Sequence, residues 1–192
     1  MEDFVSFFLV IVCITIFYIY LETKALAVTY VKSKNNNTFL VRNLPDKNEA
    51  AELLEEIKDR LSKIVEHVKT QSDADKEDID RLVKNYRPEN ISESSPGNKY
   101  TSYSINKGDK IVFCIRSKDE HAKLVEINTM MFVAIHELAH LMTKSIGHTP
   151  EFWNNMKYLL KKGIDINVYQ KQDFSSNPVN YCGTKITNSP LD

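Results

Sequence analysis

The sequence predicts an α+β fold: an N-terminal transmembrane helix, then one small domain in which a short β-sheet or hairpin packs on a metal-binding helix. Three observations carry that prediction. Phe4 to Leu21 is a run of 18 residues without a charge, helical patterns bracket a β-rich segment, and His136, Glu137, His140 and His148 fall in one apolar stretch. A chain of 192 residues, 42% hydrophobic and 27% charged, is long enough for one core and ordinary for a globular domain. A formal net charge of -1 with no long Lys or Arg run gives no electrostatic footprint for nucleic acid, so no nucleic-acid partner is expected.

As a helix, Phe4 to Leu21 is about 27 Å long, which just crosses a hydrocarbon core. Tyr18 and Tyr20 sit where an aromatic belt would lie. Residues 1–24 therefore read as a transmembrane anchor and the chain as a single-pass membrane protein. A cleaved signal peptide would account for Ala25-Leu26-Ala27, but Glu2 and Asp3 make its leading region acidic and the apolar run is too long. Lys24, Lys32, Lys34 and Arg42 follow the run, and this charge asymmetry places the C-terminal domain in the cytosol.

Residues 25–45 read as a stalk with a short strand at Thr38 to Arg42, and residues 46–192 as the metal-binding domain, helical over 46–90 and catalytic over 91–192. Asp46 with Glu49 forms a capping box for a long helix with Ala50, Leu53, Leu54, Ile57, Leu61, Ile64, Val65 and Val68 on one stripe. A shorter helix follows from Lys76 to Tyr86, and residues 92–98 read as a loop. Tyr100 to Asn106 and Lys110 to Arg116 read as a hairpin or neighbouring strands, an element whose edge suits an extended peptide as well as a purely structural role. After the histidine stretch, Lys161-Lys162-Gly163 reads as a helix stop, Ile164 to Tyr169 as a last strand and Gln170 to Asp192 as a loop-like tail.

Cys13, Cys114 and Cys182 are too few for a disulfide framework and read as reduced thiols; a Cys114 to Cys182 bridge is the alternative for a domain facing an oxidising lumen.

The chemistry lies in Asn128 to Leu160. Residues four apart on a helix are about 40° apart in azimuth and about 6 Å along the axis, so His136 and His140 can grip one metal ion with Glu137 beside it, placed as a general base. Asn128 or Thr129 can cap this helix, whose apolar run predicts burial, and Gly147 can end it. Thr149-Pro150 then starts a second helix, with His148 returned toward the metal as the third ligand and Glu151 as its substitute. Phe152 and Trp153 read as core. In the tail, Tyr181 is a candidate donor to a tetrahedral intermediate and Cys182 a candidate latency ligand, each against ordinary packing.

HELAHLMTKSIGHTPEFWNNMKYLL, His136 to Leu160, resembles the small metallopeptidases of the SprT, YgjP and WLM type, which share an HExxH helix, a short connection and a third His before an F or FW helix start. The resemblance implies a zincin-like domain with Zn²⁺ held by His136, His140 and His148, Glu137 as catalytic acid/base, and a protein or peptide substrate. With TSYSINKG, IVFCIR and NPVNYCG, the chain from about Asn90 to Leu191 also looks like WLM-like metallopeptidases of large double-stranded DNA viruses, which implies a viral membrane protein of the virion or an internal host membrane. His148 lies eight residues after His140, so the metzincin spacing does not apply. The CxxC ribbon and basic region of DNA-repair members are absent, and their role is not carried over.

The expected activity is zinc-dependent hydrolysis of membrane-proximal proteins. The rival reading is a catalytically silent, zinc-containing scaffold of a viral or cellular membrane.

Overall fold

The apolar run folds as α1, Glu2–Leu26, and its Val5–Glu22 window, with a mean hydropathy of 2.3 and 0% buried, is long and apolar enough to cross a membrane. The computed structural model describes residues 2–192, with side chains for all but 2–4 and 23–26. The charges of Glu2, Asp3 and Lys24, the Phe4 end of the run and the Ala25-Leu26 pair lie outside the described side chains.

Only Ala27 separates α1 from β1, Val28–Lys32, so the segment expected as a stalk is a strand. β1 pairs antiparallel with β2, Thr38–Arg42, in the register Val28 opposite Arg42. The hairpin is tied down from outside: Glu55, buried on the next helix, accepts from Ser33 Oγ at 2.6 Å and from Asn37 Nδ2 at 2.9 Å. Those long-range bonds order a turn whose local sequence, Asn35-Asn36-Asn37, reads only as a break.

α2, Lys47–Lys69, buries Ala50, Leu54, Ile57, Leu61, Ile64, Val65 and Val68 on the expected stripe. Asp46 stands at its N-cap without making the cap bond. Its carboxylate goes instead to Arg116 Nη1 at 2.5 Å. α3, Lys76–Asn85, is capped by Asp75, whose side chain accepts from Glu77 N–H, and buries Ile79 and Leu82.

The main sheet has the order β3-β5-β4: β3, Ile91–Glu93, is parallel to β5, Lys110–Phe113, and β4, Tyr103–Ile105, is antiparallel to it. β4 and β5 are the expected strand pair; β3 replaces the start of an expected loop. Its short Ile-Ser-Glu sequence lacks a strand pattern because Glu93 is held by tertiary bonds, accepting from Arg116 Nε at 2.8 Å and from the Arg42 backbone N–H at 2.7 Å. At the β4–β5 turn Gly108 has φ +115, and a Cβ there would lie 2.0 Å from the Asn85 carbonyl oxygen, so only glycine lets the turn sit on the end of α3.

α4, Ile127–Met142, packs on α2, α3 and α5, with Met130, Met131, Ala134, Ile135, Leu138 and Leu141 buried, as its all-round apolar pattern requires. It begins after Glu126 without a side-chain cap; Asn128 instead exchanges two hydrogen bonds of 2.9 Å with the backbone of Gln170. α5, Pro150–Asp165, starts at Thr149, whose side chain accepts from Phe152 N–H, as expected. It runs through Gly163, which is close against Ile135, Ile64 and Tyr169, so this glycine is there for helix packing and does not end the helix. The expected strand over 164–169 is the last helical residues and a turn, while the tail contains a hairpin of β6, Val179–Tyr181, and β7, Thr184–Ile186. Cys182 is bonded to Cys114, which corrects the reading of reduced thiols for that pair and removes Cys182 as a latency ligand, while Cys13 is a free thiol.

Among the described residues the chain forms one small α+β domain after α1, with the four helices α2–α5 and short sheets around a shared core.

Candidate metal centre

His136 and His140 lie one turn apart on α4, and His148 follows the turn between α4 and α5. The described residues bring them together: one ligand nitrogen from each lies within 4.8 Å of the others. His136 Nε2 faces His148 Nε2 at 3.0 Å. Imidazole nitrogens sharing a tetrahedral zinc ion at about 2.0–2.1 Å are about 3.3 Å apart, so the donor set fits zinc in type, and the His136–His148 pair is close to that spacing. Burial, reinforced by neighbouring histidines, pulls His136 down to about 3 and His140 to about 4, which leaves both as neutral donors.

α4 ends at Met142, five residues before Gly147, and its last carbonyls are taken by groups distant in sequence: Asn85 Nδ2 donates to Leu141 and Arg81 Nη1 to Met142. Lys107 Nζ, reaching from the β4–β5 turn, donates to the carbonyls of Thr143, Lys144 and Ser145. Glu151 accepts from the N–H groups of Lys144 at 2.7 Å and Ser145 at 3.1 Å. With both oxygens engaged there, Glu151 organises the turn and is not the alternative ligand. Gly147, at φ +83, supplies the left-handed step that precedes His148.

Aromatic rings wall the histidines. Phe152, fully buried, stacks on His140 with ring centroids 4.3 Å apart and meets His136 edge-on at 4.8 Å. Trp153 stacks on His148 at 5.6 Å and is 42% exposed, so it flanks the site and is not core.

Glu137 is the next residue after the first histidine and is 4% exposed. Its Oε2 has no hydrogen-bond partner, and burial pushes the carboxyl up to about 8. A carboxylate buried without donors costs several kcal/mol, roughly, unless a cation or a reactant proton meets it. His136, Glu137, His140 and His148 all line one cavity of about 640 Å³, shared with Thr101 to Ser104, which lead into β4, and with Tyr181 of the tail hairpin. The placement of Tyr181 was legible only as a residue type in the tail, since the NYCG turn carries no strand pattern.

Residues 76–191 match the WLM domain family. Protein R325 of Acanthamoeba polyphaga mimivirus is 34% identical over 182 residues, covering 93% of this chain and 91% of that protein. Protein 136R of invertebrate iridescent virus 6 is 34% identical over 71 residues, 36% of this chain and 39% of the relative. Among solved structures, that of a Wss1 mutant from Saccharomyces cerevisiae superposes with a TM-score of 0.51 at 21% identity, over 67% of this chain and 88% of that one, a likeness of fold.

Proposed function

The chain belongs to the WLM family of zinc-dependent metallopeptidases, and from that premise we propose that it hydrolyses peptide bonds of membrane-proximal proteins from a membrane-anchored site. The single observation that carries the catalytic reading is Glu137: a buried carboxylate oxygen without a partner, beside three convergent imidazoles, in an open cleft. A scaffold that kept zinc only for stability would have no use for it.

His136, His140 and His148 would hold the ion. Zinc at such a site supplies Lewis acidity, polarising a carbonyl and making water a better nucleophile near neutral pH. Glu137 accepts a proton from the attacking water as its oxygen bonds to the carbonyl carbon, then delivers that proton to the amide nitrogen as the C–N bond breaks. The nitrogen leaves as an amine, the other fragment ends in a carboxyl group, and Glu137 regains its starting state. The free edge of β4 supports an extended substrate, because residues 101–104 line the cavity and β4 pairs only through its other edge, with β5.

The anchor is α1, and the one-residue join to β1 would hold the zincin-like domain directly at the bilayer surface. Two signals bear on its side of the membrane in opposite directions: the basic residues after α1 favour the cytosol, and the Cys114–Cys182 bridge favours an oxidising space. Protease protection of the tagged chain in sealed vesicles decides between them.

The functional test is a comparison of new protein termini in membranes carrying the wild type or Glu137→Gln. Wild-type-specific termini, with equal zinc in both proteins, are expected. Equal cleavage by the two would overturn the mechanism.

A further inference from the structure

Tyr181 lies 41 residues after His140 in sequence, yet in space it shares the cavity of His136, Glu137 and His140. It is 3% exposed and forms part of the cavity wall. The hairpin that presents it is tightly defined. Cys182 and Gly183, the two turn residues, have φ of 47° and 80°, the left-handed pair of a two-residue hairpin turn. Cys182 is in turn bonded to Cys114, just past the end of β5. Tyr181 is thus fixed to the main sheet through its immediate chain neighbour.

The hydroxyl is fixed as well. Tyr181 Oη lies 2.6 Å from Ser102 Oγ, and Ser102 Oγ accepts the backbone N–H of Cys114 at 3.1 Å. Ser102 has one hydrogen to give, and the Cys114 N–H occupies one of its lone pairs. When Ser102 gives that hydrogen to Tyr181 Oη, the phenol proton is free for another acceptor. Burial raises the Tyr181 pKa further above its already high ordinary value, so the phenol keeps its proton, and the charge of Glu137 acts on it in the same direction.

We propose that Tyr181 is a catalytic residue of this site: held by Ser102 and the Cys114–Cys182 bridge, its phenol donates a hydrogen bond to the scissile carbonyl oxygen as that oxygen gains negative charge. Ser102 is the positioning residue. The assignment rests on the peptidase reading above and adds a group that stabilises charge without exchanging protons with the water that Glu137 activates. A purely packing tyrosine would need a partner for its hydroxyl, but not a place on the wall of the histidine cavity.

The test uses the zinc-loaded full chain in detergent micelles and a quenched-fluorescent peptide spanning a bond the wild type cleaves in β-casein. Tyr181→Phe should lower kcat by about 10²-fold with KM changed by less than about twofold, the signature of a contact made in the transition state. Affinity for the phosphinic analogue of that peptide, a tetrahedral anion, should fall by the same factor as kcat/KM, while substrate affinity measured in a Glu137→Gln background stays unchanged. Ser102→Ala should show a smaller loss of the same kind, and none when added to Tyr181→Phe; should Tyr181→Phe not fold, Ser102→Ala and the phosphinic affinity carry the test. If Tyr181→Phe keeps wild-type kcat and phosphinic affinity while Glu137→Gln is inactive, Tyr181 only packs and this proposal falls alone. If the wild type cleaves no bond in casein and does no better than Glu137→Gln, the peptidase reading beneath it falls.

Discussion

Glu137 on α4 and Glu93 on β3 are both 4% exposed, yet their surroundings are opposite. Glu93 is held by Arg116 Nε and the Arg42 N–H, and Arg116, 2% exposed, also binds Asp46 and the Ala122 carbonyl. Glu137 has an oxygen with no partner and faces a cleft. A saturated carboxylate ties strands together; one left unsatisfied keeps its basicity for something that arrives later.

The contrast is tested most strongly at Glu137. Glu137→Gln should reduce turnover by about 10³-fold or more with zinc content and thermal midpoint retained, read by peptide cleavage, metal analysis and a melting curve. Glu93→Ala should do the reverse. It removes the buried partner of Arg116 Nε, leaving the guanidinium only Asp46 and the Ala122 carbonyl, and should cost about 3 kcal/mol in denaturant unfolding, with activity per folded molecule kept. If it lost activity at unchanged stability, the division between the two carboxylates would be wrong.

A pH series sharpens the comparison in the zinc-free protein. The folded pKa of Glu137 is raised to about 8 from an ordinary 4.5, so the folded state holds a proton that the unfolded state releases. Its favourable contribution is complete below pH 4.5 and is lost as pH rises from there through about 8. Wild type should therefore lose up to about 1.4 kcal/mol per pH unit across that window relative to Glu137→Gln. Equal pH dependence of the two would mean that Glu137 is solvated. The smallest expected effect is at Trp153, where Ala removes the ring stacked on His148 and should weaken zinc affinity about tenfold, measured by chelator competition.

Local pattern made the α2 stripe, the buried α4 and the histidine spacing legible, because each depends on residues within a few turns of one another. What was not legible depends on partners far away in sequence. Asp46 reads as a cap and serves Arg116, 70 residues on. α4 stops at Met142, where Asn85 and Arg81 from α3 take its last carbonyls, and a glycine five residues later cannot report that. β3 and the β6–β7 hairpin are three-residue strands, too short for alternation to register. The bridge between Cys114 and Cys182 follows from the hairpin, which had to be known first.

The Lys107 ammonium bonded to three successive carbonyls joins the turn that carries His148 to the turn between β4 and β5. The histidine turn and the cleft-lining strand are thereby one cooperative opening unit, in which neither frays without releasing the other. A peptide laid along β4 would then steady the third imidazole from a distance, and occupancy of the metal site would slow amide exchange in the β4–β5 hairpin, which contributes no ligand to it.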